Sequence, residues 1–205
     1  MSEKTDEERV EDLKRLWQQY GTYLIAGLVV LIAGVFGTRA WFDHQQARAE
    51  QASFHYQQLI QYAERSQHGE AIAQGRQLLD DFAGTAYAAL GAQVMARVEV
   101  ERGDADSARA HLQWSLANAR LAEVRDLARL GLARLQFDAN EHDAALTTLR
   151  SRENASFSAL FDELRGDIHA SRGETELARE AYAAALDQST AQGSRELLQV
   201  KYDNL

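Results

Sequence analysis

ARVEVERGDADSARAHL (residues 96–112) returns as ARLQFDANEHDAALTTL (133–149) and again as GDIHASRGETELAREAY (166–182). Each segment turns on a Gly or Asn followed by an acid: Gly103-Asp104, Asn140-Glu141 and Gly173-Glu174. Five residues after the turn stand Ala108, Ala145 and Ala178, and nine after it Leu112, Leu149 and Tyr182. Seven before it stand Ala96, Ala133 and Gly166, five before it Val98, Leu135 and Ile168, and thirteen before it Leu90, Leu127 and Leu160. Small residues at fixed places let a partner helix cross closely, and large apolar ones three and four positions away fill the groove between the two. Gly or Asn supplies the left-handed residue that ends a helix, and the acid after it suits the positive end of the next. The segment therefore reads as a stack of antiparallel helical hairpins, an all-α solenoid. Gly69-Glu70 supplies an earlier turn, 34 residues before Gly103, but no alanine stands five residues beyond it, so the first unit is expected to be degenerate. The unit around Asn140 departs too, with Arg152 where alanine is usual. A last helix from Ser194, its expected N-cap, to Leu205 is expected to cap the stack.

Composition agrees with an all-α chain. The 205 residues include no proline and no cysteine, which removes helix breakers, disulfides and thiolate chemistry together. The net charge of −9 argues against nucleic acid, whose phosphates need a lysine and arginine surplus.

One segment differs from the rest. From Leu16 to Thr38 a run of 23 residues carries no charge, and its centre, YLIAGLVVLIAGVFG (23–37), is apolar throughout. At about 1.5 Å per residue such a helix spans roughly 34 Å, enough for the hydrocarbon core of a bilayer. Trp17, Tyr20 and Tyr23 flank one end and Trp41 and Phe42 the other, as interfacial aromatics do. A helix apolar on every face does not suit a soluble core, and the nearest small-x-small cleavage pattern, Ala47-Arg48-Ala49, lies well past the apolar run. The expected organisation is a cytoplasmic tail (1–15), a transmembrane anchor (16–42), a linker helix (43–67) and a repeat domain (68–205). Lys4, Arg9, Lys14 and Arg15 before the span outnumber Arg39 and Arg48 after it, which places the N-terminus in the cytoplasm and the domain outside, in the periplasm of a Gram-negative cell. Within the span, Ala26, Ala33 and Gly37 lie near one face, a surface on which a second helix can approach closely.

Chemistry is hard to find. None of His44, His55, His68, His111, His142 and His169 stands in a metal-binding spacing, and no phosphate-binding loop or nucleophile motif occurs. No enzyme and no cofactor is expected; what remains is a protein-binding surface. The hairpin pattern is similar to the tetratricopeptide repeat, which implies that residues ten and six before the turn often look into the concave groove: here Gln93 and Arg97, Leu130 and Arg134, Glu163 and Asp167. Arg97 and Arg134 hold equivalent places, where two guanidinium groups suit a carboxylate or peptide carbonyls, or else pair with nearby acids. Phe137 either lines that groove or packs on a neighbouring repeat; Trp114 is expected to pack. Phe54 and Tyr56 pack under the first repeat or meet a partner.

The whole chain resembles the YfgM family of single-span ancillary subunits of the bacterial SecYEG translocon. The likeness is carried by Glu11-Asp12-Leu13-Lys14-Arg15, Arg39-Ala40-Trp41, His44-Gln45, Ala52-Ser53, Tyr56-Gln57, Leu132-Ala133-Arg134-Leu135-Gln136, Asp143-Ala144-Ala145-Leu146, Leu164-Arg165-Gly166-Asp167, Ala178-Arg179 and Lys201-Tyr202-Asp203-Asn204-Leu205. The resemblance implies an inner-membrane protein with its repeat domain in the periplasm. It implies association with SecYEG and with PpiD, a membrane-anchored chaperone-like protein, and action on polypeptides emerging from the channel. It also implies a link to the Rcs envelope-stress response, so the alternative role is a regulator that restrains that response.

Overall fold

The structure, a computed structural model, describes residues 6–189 and 191–205. It is helical throughout: α1 (Asp6–Glu64), α2 (His68–Phe82), α3 (Ala86–Glu101), α4 (Ala105–Asn118), α5 (Ala122–Asp138), α6 (His142–Thr148), a 3₁₀ turn (Ala155–Phe157), α7 (Ser158–Ser171), α8 (Thr175–Gln188) and α9 (Gln192–Asp203). The chain divides into two units, one ending at Arg48 and one covering Ala49–Leu205.

The first unit holds the apolar stretch. Among the described residues one helix is long and apolar enough to cross a membrane. Tyr23, Val30, Leu31 and Phe36 are all exposed, so its apolar surface runs around the helix rather than along one side. Trp17 lies against Gly21 one turn on, where a Cβ would come 3.3 Å from the indole. Ala26, Ala33 and Gly37 are exposed, and a Cβ added at Gly37 would meet nothing within 4 Å.

The second unit is the solenoid, and it starts earlier than residue 68. Residues 49–64 of α1 are the first helix of the first hairpin: Ala52, Leu59 and Ala63 are buried with Ala71, Ile72 and Leu78 of α2. The turn of this hairpin is Ser66, at φ 55°, not Gly69, which lies inside α2. Ser66, Gly103, Asn140 and Gly173 all have positive φ. The residue after each donates its N–H five residues back, Gln67 to Tyr62 at 2.9 Å, Asp104 to Glu99 at 2.8 Å, Glu141 to Gln136 at 2.8 Å and Glu174 to His169 at 3.0 Å. This bond satisfies a carbonyl orphaned at the helix end. Counted from Ser66, the first unit is not degenerate: Ala71, Ala108, Ala145 and Ala178 stand five residues after their turns, and all four are 0% exposed.

Volume is conserved across each hairpin although residue type is not. Seven before and nine after the turn, the pairs are Leu59 with Gly75, Ala96 with Leu112, Ala133 with Leu149, and Gly166 with Tyr182. Where one member is large the other is small. A Cβ on Gly166 would lie 2.4 Å from the Tyr182 ring, so the bulk of the tyrosine dictates the glycine.

Two further expectations change. The capping helix begins at Gln192 with Ala191 at its N-cap, and Ser194 sits inside its first turn. The acids after the turns also differ in role. Asp104 caps α4 by accepting from the Ser107 N–H at 3.0 Å. Glu141 and Glu174 cap nothing with their side chains. Glu141 instead receives both terminal nitrogens of Arg109, at 2.9 and 2.8 Å, joining one hairpin to the next.

α6 is seven residues long, against 15, 14 and 14 for α2, α4 and α8. Arg152 therefore belongs to an irregular stretch, not to a helix, which removes the reason for an alanine there. That stretch is pinned by Asp126 of α5, which is fully buried. Its carboxylate accepts the Glu153 N–H (3.0 Å), the Asn154 N–H (2.6 Å) and Nη1 of Arg129 (2.8 Å).

The candidate protein-binding cleft

Helices α3 and α5 are the first helices of consecutive hairpins, so residues at equal distance from their turns project alike. Arg97 and Arg134, each six before its turn, line one cleft of about 300 Å³. Its apolar surface comes from Ala96, Val100, Leu112, Leu127 and Leu135, and its lining also includes Gln93, Gly131 and Asp138. Val100 and Leu127 keep 49% and 37% of their surface exposed, so part of the apolar lining faces solvent.

The two arginines are available for a ligand. Arg97 meets Glu101 at 3.8 Å, with both side chains largely exposed, a pair worth little in water. Arg134 is exposed and has no ion pair or hydrogen bond among the described residues. Gln93 is already committed: its amide donates to Ser115 Oγ and to the Val124 carbonyl, both at 3.0 Å. Ser115 in turn donates to the Ala89 carbonyl at 2.8 Å, so α3, α4 and α5 are tied at one point. A shallower depression lined by Tyr56, Leu90, Gln93, Val94 and Arg97 lies beside the cleft. There Tyr56 packs 5.7 Å from Tyr87, and burial, partly offset by Arg97, raises its phenol above the ordinary value.

The remaining residues fall elsewhere, for a common reason. The position ten before the turn serves contact with the following hairpin. Gln93 reaches Val124 at the start of α5, Leu130 is 5% exposed in a cluster with Phe161 of α7, and Glu163 receives Lys201 of α9. Leu130 is thus a core residue and does not line the cleft. Phe137 is half-buried against that same core, its ring 5.6 Å from His142, and it too is outside the cleft. Glu163 and Asp167 are closed over: Lys201 Nζ donates to them at 2.7 and 2.8 Å, and the Tyr182 hydroxyl donates to Asp167 at 2.7 Å. Burial alone would lower the Lys201 ammonium, but the bonds to Asp167 and Glu163 outweigh it and hold the group above its usual value. Burial and the Asp167 contact likewise raise the Tyr182 phenol. Trp114 packs against the first hairpin's core as its spacing suggests, and Phe54 is exposed. The acidic end is thus paired off, and the charged groups of the open, largely apolar cleft are Arg97, Arg134 and Asp138. The sequence signal that would have found Lys201 is weak: a lone lysine on a terminal helix.

Stacked hairpins with shared left-handed turns, interlocking small and large residues and a ligand-sized concave cleft define a tetratricopeptide-type scaffold, a class that binds other proteins. The chain belongs to the tetratricopeptide repeat-like domain family, whose match covers residues 14–205. It is similar to the ancillary SecYEG translocon subunit of Haemophilus influenzae, 28% identical over 200 residues that cover 98% of this chain and 97% of the relative. The protein of the same name from Escherichia coli K12 is 28% identical over 202 residues, with the same coverage of each chain. That of Neisseria gonorrhoeae is 27% identical over 204 residues, again covering 98% and 97%.

Proposed function

We propose that the chain is a non-enzymatic, membrane-anchored adaptor of the SecYEG translocon. The observation that carries this reading is that similarity to proteins named for that role runs through the apolar helix and the repeat domain alike. The apolar helix is the anchor, spanning the inner membrane once with the N-terminus in the cytoplasm and the repeat domain in the periplasm. The cleft edged by Arg97 and Arg134 is the surface offered to polypeptides leaving the channel, and PpiD is the companion that the resemblance implies. Tethering raises the local concentration of that surface near the channel, so individually weak contacts suffice. A shallow, largely apolar cleft with two exposed guanidinium groups, one of them only loosely paired with Glu101, fits weak and sequence-tolerant binding.

Photocrosslinking in intact membranes tests it. A photoreactive residue at Arg97 or Arg134 is expected to form adducts with a translocating polypeptide or with PpiD, and one at Ala33 or Gly37 with the channel. Adducts from none of these positions to any of the three overturn the proposal.

A further inference from the structure

The short α6 leaves a place in the stack unfilled. In the earlier hairpins the residue eight before the turn packs on the second helix of the preceding hairpin. Met95 is fully buried over Gly75 of α2, where a Cβ would come 2.3 Å from its sulfur. Leu132 is buried with Leu112 and Ala108 of α4. The same position in α7 is Arg165. The helix that ought to cover it stops at Thr148, so α6 barely touches α7, whereas α2 and α4 pack extensively on α3 and α5. The second helices show the same change. Trp114 of α4 packs back on the first hairpin. At the equivalent place in α8 stands Ala184, which lines an open cleft of about 260 Å³ with Leu177, Ala181 and Glu180 of α8 and Asp162, Arg165 and His169 of α7.

This cleft holds an unmet polar group. Arg165 gives Nη2 to the buried carboxylate of Asp162, but its Nε is buried and has no hydrogen-bond partner among the described residues. Nε is closed to an incoming acceptor, but the Arg165 side chain as a whole keeps 41% of its surface exposed and presents its positive charge to the cleft. Glu180, on the α8 side, is exposed and carries the opposite charge. α6 falls about seven residues short of its counterparts, two helical turns or roughly 10 Å.

We propose that this gap is a docking site for an amphipathic helix of a partner protein, about two turns of which continue the line of α6. Its apolar stripe is alanine and leucine, small enough to sit against Ala181, Ala184 and Leu177. Its carboxylate pairs with the exposed part of the Arg165 guanidinium, and its base faces Glu180. The site is separate from the cleft of Arg97 and Arg134 and stands whether or not that cleft holds translocating chains.

The test uses the full chain in lipid nanodiscs and a fluorescent, stapled 14-residue helical peptide. The peptide carries Ala and Leu at spacings of three and four, with one Glu on that face and one Lys beside it. Saturable binding is expected by anisotropy, weakened about tenfold when the Glu is replaced by Lys. Ala184→Arg and, separately, Ala181→Arg fill the gap and are expected to remove binding, each checked for folding by circular dichroism. Arg165→Met, which restores the residue type of the second hairpin, is expected to keep binding and lose the preference for Glu over Lys. No saturable binding by the intact protein, equal binding by both arginine variants, or no preference between Glu and Lys overturns the proposal. So does concentration-dependent dimerisation of the chain that Ala184→Arg abolishes, which would give the gap to a second copy.

Discussion

Ser66 adopts φ 55° at the place that glycine fills in Gly103 and Gly173. A left-handed backbone costs a residue with a Cβ about 1–2 kcal/mol, while glycine costs about 0.5–1 kcal/mol in unfolded-chain entropy, so the steric term wins. Ser66→Gly is expected to stabilise the chain by up to about 1 kcal/mol, read as a rise in the thermal midpoint. The same arithmetic explains what a reader of the sequence misses. Serine is an uncommon left-handed residue, and Gly69-Glu70 imitates the pattern three positions further on. Glu153 gives a second residue-scale expectation. Hydrogen bonds from Arg125 and then Arg129 hold its carboxyl down to about 2, well below the ordinary 4.5. The folded state therefore binds this proton less readily than the unfolded chain, and stability rises with pH across that interval. The stabilisation is complete above about pH 4.5 and is lost as pH falls toward 2. Thermal melts of wild type and Glu153→Gln are expected to differ at pH 6 and to converge toward pH 2.5.

At the scale of the element, α6 and the stretch after it are set by a carboxylate rather than by propensity. Residues 142–148 form two helical turns, and the chain then leaves the helix line to reach Asp126. Asp126→Ala strands two partly buried backbone N–H groups and removes one of the two carboxylates that Arg129 pairs with, leaving it Glu153. Each buried unpaired donor costs about 1–3 kcal/mol, so a loss of about 3 kcal/mol is expected in chemical denaturation, with Asp126→Asn losing less. This arrangement is not legible in the sequence, because it is a contact between residues 27 and 28 positions apart with no periodic signal. The last three hairpins are legible, since their small and large residues recur at fixed distances from a turn; the first is not, because its turn is Ser66 and Leu59 stands where the others have Ala or Gly. The cleft was half legible for the same reason. Arg97 and Arg134 repeat in register and do share it. Leu130 repeats in register with Gln93, but that register belongs to contact with the next hairpin, which linear spacing does not distinguish from a groove.

For the whole molecule the decisive property is which side of the membrane each unit occupies, and the chain's composition allows it to be measured directly. With no native cysteine, a single introduced thiol reports from one position alone. Ala105 is exposed at the first turn of α4, where Asp104 caps the helix. Ala105→Cys therefore supplies a solvent-accessible thiol there. Lys14, also exposed, precedes the apolar run and supplies the opposite reporter. The lysine and arginine bias predicts residue 14 inside the cell and residue 105 outside it. A membrane-impermeant maleimide added to spheroplasts is therefore expected to label Ala105→Cys fully and to leave Lys14→Cys untouched until the membrane is lysed. The reverse labelling pattern would place the solenoid in the cytoplasm, where neither the Arg97–Arg134 cleft nor the gap beside Arg165 meets a chain leaving the channel. Labelling of both thiols before lysis would mean that the apolar helix does not hold the chain across the bilayer, and the anchored adaptor would fall with it.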